Sequence, residues 1–289
     1  KDYTNRRDIM KRKILITGAN GYIGSKIVKK LLDLGNEVIA VDFSDTHIDK
    51  RAKIFKQNIF ADENYYELFG KPDVCLHMAW RDGFVHNSPN HILDLSNHFK
   101  FIKNLVDSGI NQIAIMGTMH ELGYYEGKIS EVKETNPQSL YGIAKDSLRR
   151  ACKLYCKDKK TKLQWLRAFY IYGDDEFGNS IFCKLVKASR EGKKTFPFTT
   201  GKNEYDFLHI DELVNQISAA VMQEKIDGEI NICSGTHKSL AEQIEWYIKE
   251  KKLGIKLDYG KYPDRPYDSP CIYGDNKKIQ EILNKDNKG

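Results

Sequence analysis

The sequence predicts an α/β protein with a doubly wound parallel sheet and a smaller mixed α/β C-terminal domain. Two observations predict this fold class. Short apolar runs alternate with segments of helical periodicity through about residue 172, and the alternation then loosens into shorter elements with more loops. The length of 289 residues fits about two domains of roughly 150 residues each. We therefore expect a first domain over residues 11–172, to which some later segments return, and a second domain over residues 173–289.

The first elements follow directly from the apolar pattern. A run at residues 14–16 predicts a buried strand, and apolar residues every three or four positions predict a helix over residues 22–34, which Gly35 ends. Residues 37–42 predict the second strand. Further strands are expected at residues 53–57, 74–78, 112–116 and 163–169, and further helices at 92–108 and 137–157.

Composition excludes several classes of protein. Apolar residues make up 40% and charged residues 30% of a chain with seven prolines, which excludes disordered, collagen-like and disulfide-scaffold proteins. No apolar run reaches the roughly 18 residues that span a bilayer, and no secretory signal is recognisable, so we expect a cytoplasmic protein without membrane contact. The net charge of +6 comes from dispersed lysine pairs outside any nucleic-acid motif. We therefore expect no nucleic-acid partner.

The six cysteines lack the spacing of metal ligands. Reduced thiols that serve as small core residues are the expected use, because cytoplasmic proteins rarely keep disulfides. We therefore expect no metal site.

The turn between the first strand and the first helix carries three evenly spaced glycines. In Thr17-Gly18-Ala19-Asn20-Gly21-Tyr22-Ile23-Gly24, Gly18 permits a tight turn, Gly21 admits a pyrophosphate, and Gly24 packs the helix on the strand. The helix N-terminus would present free N–H groups to the phosphates. Glycines that serve only turns are the competing interpretation. The flanking strand and helix favour a dinucleotide site formed by Gly18, Asn20, Gly21, Tyr22, Ile23 and Gly24.

Asp42 ends the second predicted strand, 18 residues after Gly24. An acid at this position can bind the 2′-hydroxyl of the adenosine ribose and repel a 2′-phosphate, which favours NAD(H). Ser44, His47 or a mobile lysine could still accommodate a 2′-phosphate, so NADP(H) stays open as the alternative.

Tyr141 and Lys145 lie four residues apart in a predicted helix, so the phenol and the ammonium share one face. A ketone that receives a hydride needs a proton donor, and tyrosine is protonated at neutral pH. For the reverse reaction, a cation about 4 Å away at an effective dielectric near 20 contributes about 4 kcal/mol, which would bring the pKa of the phenol close to neutrality. Lys145 could also hold the nicotinamide ribose. Thr118, 23 residues before Tyr141, could bond the substrate oxygen, although a threonine there is commonly a helix cap.

With these motifs the sequence resembles the extended short-chain dehydrogenase/reductase family of nucleotide-sugar epimerases, dehydratases and reductases, from about residue 13 to residue 278. The resemblance implies a Rossmann domain, a sugar-nucleotide domain and a catalytic set of Tyr141, Lys145 and Thr118. Two more segments are similar to parts of the family's cofactor site. Asn58-Ile59 resembles the Asp-Ile beside the adenine, and His77-Met78-Ala79-Trp80 resembles the HxAA strand end. The resemblance therefore implies cofactor contacts from Asn58, Ile59, Met78, Ala79 and Trp80.

The second half resembles the family with three departures. Tyr170 replaces the asparagine of LRxxNxYG, Tyr205 replaces the arginine of RDFxHVxD, and Tyr267 replaces the glycine of RPGD. Because that arginine is missing, we expect diphosphate binding to rest on Arg265, Asn179 or Lys184. Phe198 falls where family members pass a strand under the base, and an ordinary edge strand explains it equally well.

The residues around Thr118 bear on the reaction. Dehydratases of the family carry Asp-Glu directly after this threonine, whereas Met119-His120 follow here, which disfavours dehydration. Trp80 resembles several reductases that act on 4-keto-6-deoxy sugars and could also fill space above the substrate. His120 could supply a proton or shape specificity, or be a plain loop residue. The expected function is reduction at C4 of a nucleotide-diphosphate 4-keto-6-deoxy sugar. A 4-epimerase with retained NAD is the alternative, and a non-catalytic dinucleotide sensor the distant one.

Family members pair through two helices each, which here would begin near residues 92 and 141, so a homodimer is expected. Apolar residues for this interface are available on both helices, and burial in the core explains them equally well. They are Phe99, Ile102, Leu148, Cys152 and Tyr155.

Overall fold

The computed structural model describes residues 11–61, 64–130, 134–173 and 180–288, with residues 285–288 described by their backbone alone. The helices are α1 (Tyr22–Asp33), α2 (Tyr65–Leu68), α3 (Asn90–Leu93), α4 (Leu95–Asp107), α5 (Leu140–Cys156), α6 (Ile181–Arg190), α7 (Ile210–Val221), α8 (Leu240–Glu250) and α9 (Lys277–Lys288). The strands are β1 (Lys13–Thr17), β2 (Glu37–Asp42), β3 (Lys53–Lys56), β4 (Val74–His77), β5 (Gln112–Thr118), β6 (Gly127–Ile129), β7 (Lys162–Ala168), β8 (Tyr170–Tyr172), β9 (Thr195–Pro197), β10 (Glu204–Tyr205), β11 (Phe207–His209), β12 (Gly228–Ile232), β13 (Lys238–Ser239), β14 (Lys256–Asp258) and β15 (Cys271–Gly274). A 3₁₀ turn over Met119–Glu121 follows β5.

Seven parallel strands form the central sheet, in the order β12-β7-β5-β4-β1-β2-β3. The inner strands β4 and β5 are buried along their whole length, as expected of a parallel sheet covered on both faces. Helices α1, α7 and α9 contribute to the apolar core on one face. Helices α4 and α5 contribute to the core on the other face. The predicted doubly wound α/β fold is confirmed.

The predicted strands coincide with β1 to β5 and β7 to within two residues at each end. The single helix predicted over residues 92–108 is wrong, because two helices meet at Asp94. The carboxylate of Asp94 accepts a 2.9 Å hydrogen bond from the guanidinium of Arg81, which ties the bend to the segment after β4. Helix α5 begins at Leu140 rather than at Pro137, because the Ser139 hydroxyl accepts the Gly142 N–H at 3.1 Å and caps the helix.

The remaining strands form smaller sheets with a third apolar core. One sheet has the order β13-β10-β15-β6, and the pairs β8–β11 and β9–β14 form two more. Asp206, which is fully buried, accepts the backbone N–H groups of Ser234, Gly235 and Gly274 at 2.7–3.2 Å and so joins three segments of this half. Strand β6 precedes residue 172 but belongs to the four-stranded sheet, and β12 follows it but belongs to the central sheet. The domain boundary at residue 172/173 therefore stays a prediction.

Three of the apolar residues considered for a dimer contact lie in the core. Ile102, Leu148 and Cys152 are fully buried, whereas Phe99 and Tyr155 are half-buried and contact each other edge to face. The outer face of α5 instead exposes Ile143 and Leu154. None of the described helices is long and apolar enough to cross a lipid bilayer.

Candidate active site

The candidate site lies where the strand order of the central sheet reverses. Strand β1 is followed in space by β2 on one side and by β4 on the other, and this crevice at the carboxyl ends of the strands is where doubly wound sheets bind ligands. Thr17 ends β1 directly beside His77, which ends β4. Thr118 ends β5, the next strand along the sheet.

The glycine turn connects β1 to α1 in this crevice. Gly18 has a φ of +71°, and a Cβ there would lie 2.8 Å from the Ala79 nitrogen. A Cβ on Gly24 would lie 2.1 Å from the Gly18 carbonyl oxygen, so only glycine permits this approach of helix to strand. Gly21, by contrast, is exposed and caps α1 without a side-chain hydrogen bond. The N–H groups of the first turn therefore face an open cradle that suits a pyrophosphate. Tyr22 and Ile23 begin the helix and pack partly against the core.

Asp42 lies beside the glycine turn at the end of β2. One carboxylate oxygen accepts the Asn20 N–H at 3.0 Å, and the other accepts the Phe43 N–H at 2.7 Å. The Asn20 side chain in turn accepts the His47 N–H at 2.7 Å. The structure thus brings together Asp42 and Asn20, two residues that the sequence predicts at the cofactor site.

A hydrogen-bonded chain fixes the end of β4. The Thr17 hydroxyl oxygen accepts the N–H groups of Met78 and Ala79, both at 3.2 Å, so its own proton is available for His77 Nδ1 at 2.8 Å. His77 Nε2 then donates to His98 Nδ1 at 2.9 Å. Burial lowers the pKa of His77 to about 3 and that of His98 to about 2, so both rings are neutral. This chain holds Met78 and Ala79 against the glycine turn.

Asn58 and Ile59 follow β3 at the outer side of the sheet. Ile59 is buried in the core, and Asn58 is exposed with its side chain accepting the Phe60 N–H at 3.0 Å. Their contact with an adenine stays a prediction.

Tyr141 and Thr118 meet at the centre of the crevice. Burial raises the pKa of Tyr141 to about 12, and the neighbouring Thr118 side chain opposes this shift. A Cβ on Gly142 would lie 2.4 Å from the His120 carbonyl oxygen, so glycine lets the start of α5 approach the 3₁₀ turn after Thr118. The phenol is therefore protonated at neutral pH.

Lys145 lies one helical turn after Tyr141. Its ammonium donates to the Met116 carbonyl oxygen at 2.7 Å and lies 3.9 Å from the centroid of the Trp80 ring. Burial lowers the pKa of Lys145 to about 7, although the negative charge of Glu121 opposes this. The expectation that Lys145 brings the pKa of Tyr141 close to neutrality is wrong for this structure, because burial of the phenol dominates.

Trp80 is held by two histidines that the sequence analysis did not assign. Its ring stacks on His98 with centroids 4.3 Å apart, and its Nε1 donates to His91 Nδ1 at 3.0 Å. His91 Nε2 lies 3.0 Å from the Val85 carbonyl oxygen, which only accepts, so His91 carries its proton on Nε2. The position of Trp80 over Lys145 is thereby fixed.

His120 and His86 lie on the other side of Tyr141. The His86 ring stacks on the Tyr141 ring with centroids 5.6 Å apart and lies 4.4 Å from the His120 ring. Burial lowers the pKa of His86 to about 4 and that of His120 to about 3, and the positive charge of Arg265 adds to both shifts. Buried Nδ1 of His86 has no hydrogen-bond partner in the described part of the chain. No motif in the sequence marks His86, which reaches Tyr141 only through the fold.

Arg265 lies among the residues that depart from the family pattern. The rings of Tyr170 and Tyr205 stack with centroids 4.0 Å apart, and the Tyr205 hydroxyl donates to Asp268 at 3.2 Å. Burial raises the pKa of Tyr170, with Asp268 adding to the shift. Arg265 interacts electrostatically with Tyr170, Asp268, Tyr267 and Tyr205. Two of the substituted tyrosines thus pack together, and all three lie close to the remaining arginine.

The other predicted substrate residues are less closely associated with the crevice. Lys184 is exposed on α6. Phe198 is 1% exposed and packs edge to face against Tyr259 in the third core, so its contact with a base stays a prediction. Asn179 lies outside the described residues.

One group of possible metal ligands occurs among the described residues, outside this crevice. Glu204, His237 and Cys271 in the four-stranded sheet have donor atoms within 4.8 Å of one another. His237 and Glu204 pair directly with each other.

Comparison with known proteins agrees with this geometry. The profile of the NAD dependent epimerase/dehydratase family matches residues 14–233. The chain is 41% identical over 267 residues to dTDP-6-deoxy-L-talose 4-dehydrogenase (NAD(+)) of Aggregatibacter actinomycetemcomitans, covering 90% of this chain and 98% of the relative.

Two solved structures show the same fold at low identity. UDP-glucose 4-epimerase of Thermotoga maritima, solved with UDP-glucose, is 23% identical with a TM-score of 0.81 and covers 93% of this chain and 91% of its own. UDP-glucuronic acid 4-epimerase of Bacillus cereus, solved with UDP-glucuronic acid and NAD, is 24% identical with a TM-score of 0.80, over 94% and 93%. The resemblance seen in the sequence is confirmed, and the chain belongs to the NAD dependent epimerase/dehydratase family, as an NAD-dependent enzyme.

Proposed function

We propose that this protein transfers a hydride between NAD(H) and C4 of a nucleotide-diphosphate 6-deoxy sugar, and that it works as a reductase of the 4-keto form. The observation that carries the proposal is the phenol of Tyr141, which burial keeps protonated at neutral pH beside the Thr118 side chain. Reduction of a ketone needs a protonated donor at the carbonyl oxygen, and Tyr141 supplies it.

The relative that is 41% identical supports the substrate class, because its name specifies a dTDP-linked 6-deoxy sugar and the 4-position. A diphosphate needs cationic partners. Arg265 provides positive charge that reaches His86 and His120 beside Tyr141. We assign the diphosphate to Arg265 and propose Lys184 and Asn179 as further contacts. Trp80, Thr118 and His120 would then surround the sugar, and Phe198 would lie near the base.

The residues of the glycine turn fit a dinucleotide. Gly21 leaves the cradle open, the start of α1 lacks a side-chain cap, and Asp42 lies beside the turn. We assign the pyrophosphate to this cradle and the adenosine ribose to Asp42, which favours NAD(H) over NADP(H). When bound, this cofactor accepts or supplies the hydride. Asn58, Ile59, Met78 and Ala79 would line the rest of its site.

The catalytic residues divide the remaining work. Thr118 orients the substrate oxygen, and Tyr141 donates its proton to that oxygen as the hydride arrives. Lys145 would hold the nicotinamide ribose. The face of the Trp80 ring covers the Lys145 ammonium. Removal of any one group should leave the fold intact while slowing turnover.

The test incubates the purified chain with dTDP-4-keto-6-deoxyhexoses of different configuration and NADH, and separately with the corresponding 4-hydroxy sugars and NAD, followed by NADH absorbance and NMR of the products. Net NADH consumption with a 4-hydroxy product supports the reductase. Interconversion of two 4-hydroxy sugars without net NADH consumption would show the epimerase instead. Tight NAD binding without turnover of any sugar would leave only the dinucleotide sensor.

We further propose that the protein is a cytoplasmic homodimer that pairs through α4 and α5. The exposed apolar side chains Leu154 and Ile143 on α5 support the interface, since a monomer gains nothing from leaving them in water. The six cysteines are free and five of them are buried, which suits a reducing compartment.

A further inference from the structure

We propose that Glu121, which no sequence motif assigns, is a positioning residue that holds Thr118 in place and sets the electrostatic potential at Tyr141 and Lys145. The inference rests on the proposed function, because it concerns the groups that would deliver and retain protons in that reaction.

Glu121 holds the backbone of Thr118 directly. It ends the 3₁₀ turn after β5 and is fully buried. Its Oε1 accepts the Thr118 N–H at 2.7 Å and the Trp165 indole N–H at 2.8 Å. The Thr118 hydroxyl oxygen accepts the His120 N–H at 3.3 Å, which completes a reciprocal capping box. Both the backbone N–H and the hydroxyl of Thr118 are therefore held by hydrogen bonds, which fixes the hydroxyl beside Tyr141.

The second carboxylate oxygen faces two buried arginines. Oε2 of Glu121 lies 3.2 Å from Arg149 Nε and 3.6 Å from Arg167 Nη2, and neither arginine is more than 7% exposed. Within the described residues Oε2 has no hydrogen-bond partner, so these contacts are ionic rather than aligned hydrogen bonds. Arg149 also pairs with Asp146 and with Glu229. Because Arg149 is shared among three carboxylates, it does not neutralise Glu121 alone.

The negative charge of Glu121 acts on both Tyr141 and Lys145. After burial, which dominates each shift, Glu121 raises the pKa of Tyr141 and opposes the lowering of the pKa of Lys145. Other charged and titratable groups also face this region from the neighbouring elements, namely His77 of β4, His86, His91, His98 of α4, His120, Asp146 and Arg149 of α5, Arg167 of β7, Glu229 of β12 and Arg265. Glu121 is the carboxylate that acts on Tyr141 and Lys145 together.

The sign of the expected effect follows from the charge. Without a negative charge at residue 121, a proton leaves Tyr141 and Lys145 more readily, so both apparent pKa values fall. In the reduction, loss of the Tyr141 proton limits the rate at alkaline pH, so that limb moves to lower pH. In the oxidation, formation of the phenolate limits the rate at acidic pH, so that limb also moves to lower pH.

The test variant is Glu121→Gln, which keeps an oxygen for Thr118 and Trp165 and removes the charge. We expect the limb of the kcat/KM profile to move to lower pH by about one unit, the order of magnitude for loss of a nearby unit charge at an effective dielectric near 20. NMR titration of the ¹⁵N-labelled Lys145 amine, identified by its absence in Lys145→Met, should show the same downward shift without any substrate. If the wild-type protein turns over no 4-keto sugar, the proposed function fails while this titration still decides the role of Glu121.

Two further variants complete the design. Arg167→Met removes a cation beside Glu121, so the Lys145 titration should move upward, opposite to Glu121→Gln. Asp33→Asn removes an exposed carboxylate at the end of α1 that pairs with Lys29 and Arg51, and should leave the titration unchanged. An unchanged Lys145 titration in a folded Glu121→Gln protein overturns the proposal. Should that variant not fold, an unchanged titration in Arg167→Met overturns it instead.

Discussion

The ammonium of Lys145 lies over the face of the Trp80 ring, 3.9 Å from its centroid. Such a contact favours the charged form of a lysine, whereas burial favours the neutral form. Burial dominates and lowers the pKa of Lys145 to about 7. The residue therefore changes its charge within the physiological range, and both stability and catalysis should respond to pH through it.

The stability of the protein should depend on pH through Lys145. Below about pH 7 the folded and unfolded forms both hold the proton, and the cost of the buried charge is present in full. Between pH 7 and the ordinary lysine pKa near 10.5, the unfolded form holds the Lys145 proton and the folded form does not, so the free energy of unfolding rises with pH. Relative to Lys145→Met, the wild-type free energy of unfolding should increase from pH 7 to pH 10, by about 1.4 kcal/mol per unit of pKa difference at most. Urea denaturation of both proteins measures it.

The matched control for this series is Lys157→Met, an exposed lysine at the end of α5. It should follow the wild-type curve at every pH. A gap between wild type and Lys145→Met that stays constant from pH 6 to pH 10 would contradict a titration of Lys145 in that range.

Tyr141→Phe should abolish most turnover and leave cofactor binding intact. Loss of a positioned proton donor typically costs about 10²-fold to 10⁴-fold in rate. Thr118→Val removes the orienting hydrogen bond, worth about 1 kcal/mol, together with the bond that caps the His120 N–H, so its kcat should fall at least about fivefold to tenfold. Initial rates and NADH binding by fluorescence measure both effects. Wild-type turnover by Tyr141→Phe would remove this residue from the mechanism.

Asp42→Ala should relax the preference for NADH. The carboxylate beside the glycine turn would no longer bind the ribose 2′-hydroxyl or repel a 2′-phosphate. We expect the kcat/KM ratio of NADH to NADPH to fall at least about tenfold, which corresponds to about 1.4 kcal/mol. Asp45→Ala is the control, since Asp45 is paired with Lys50 of its own loop and with Lys56 at the end of β3 and should not affect the ratio. Equal ratios in wild type and Asp42→Ala would show that Asp42 does not select the cofactor.

Leu154→Glu should weaken the proposed dimer. The side chain of Leu154 is 75% exposed, so a charge there costs little in a monomer and much in a buried interface. Sedimentation equilibrium should show a dimer dissociation constant at least about tenfold higher than that of the wild type. Tyr262→Glu, at another exposed position in the second half, is the control. A dimer that is equally stable in both variants would place the interface elsewhere.

The parts of the site that lie close together in the chain were predictable. The glycine turn follows from glycine spacing between a strand and a helix, and the pairing of Tyr141 with Lys145 follows from helical periodicity. Both are local patterns that backbone geometry dictates. Thr118 was also predictable, because it ends a strand whose apolar run is plain in the sequence.

The long-range contacts were not predictable from these patterns. No sequence pattern distinguishes Glu121 from other acidic residues that follow a strand, because only the fold packs it against Arg149 and Arg167. His86 lies in a segment without periodicity and reaches Tyr141 because its backbone carbonyl accepts the Tyr141 N–H at 2.8 Å.

The sequence by itself determined the fold class, the order of the main strands and helices up to about residue 169, and the residues proposed for proton transfer, since each depends on periodicity or short spacing. Only the tertiary structure decided the protonation of Tyr141 and Lys145. Burial depends on what the whole chain packs around a side chain. It raises the pKa of Tyr141 to about 12, whereas a single cation placed by spacing alone would have lowered it.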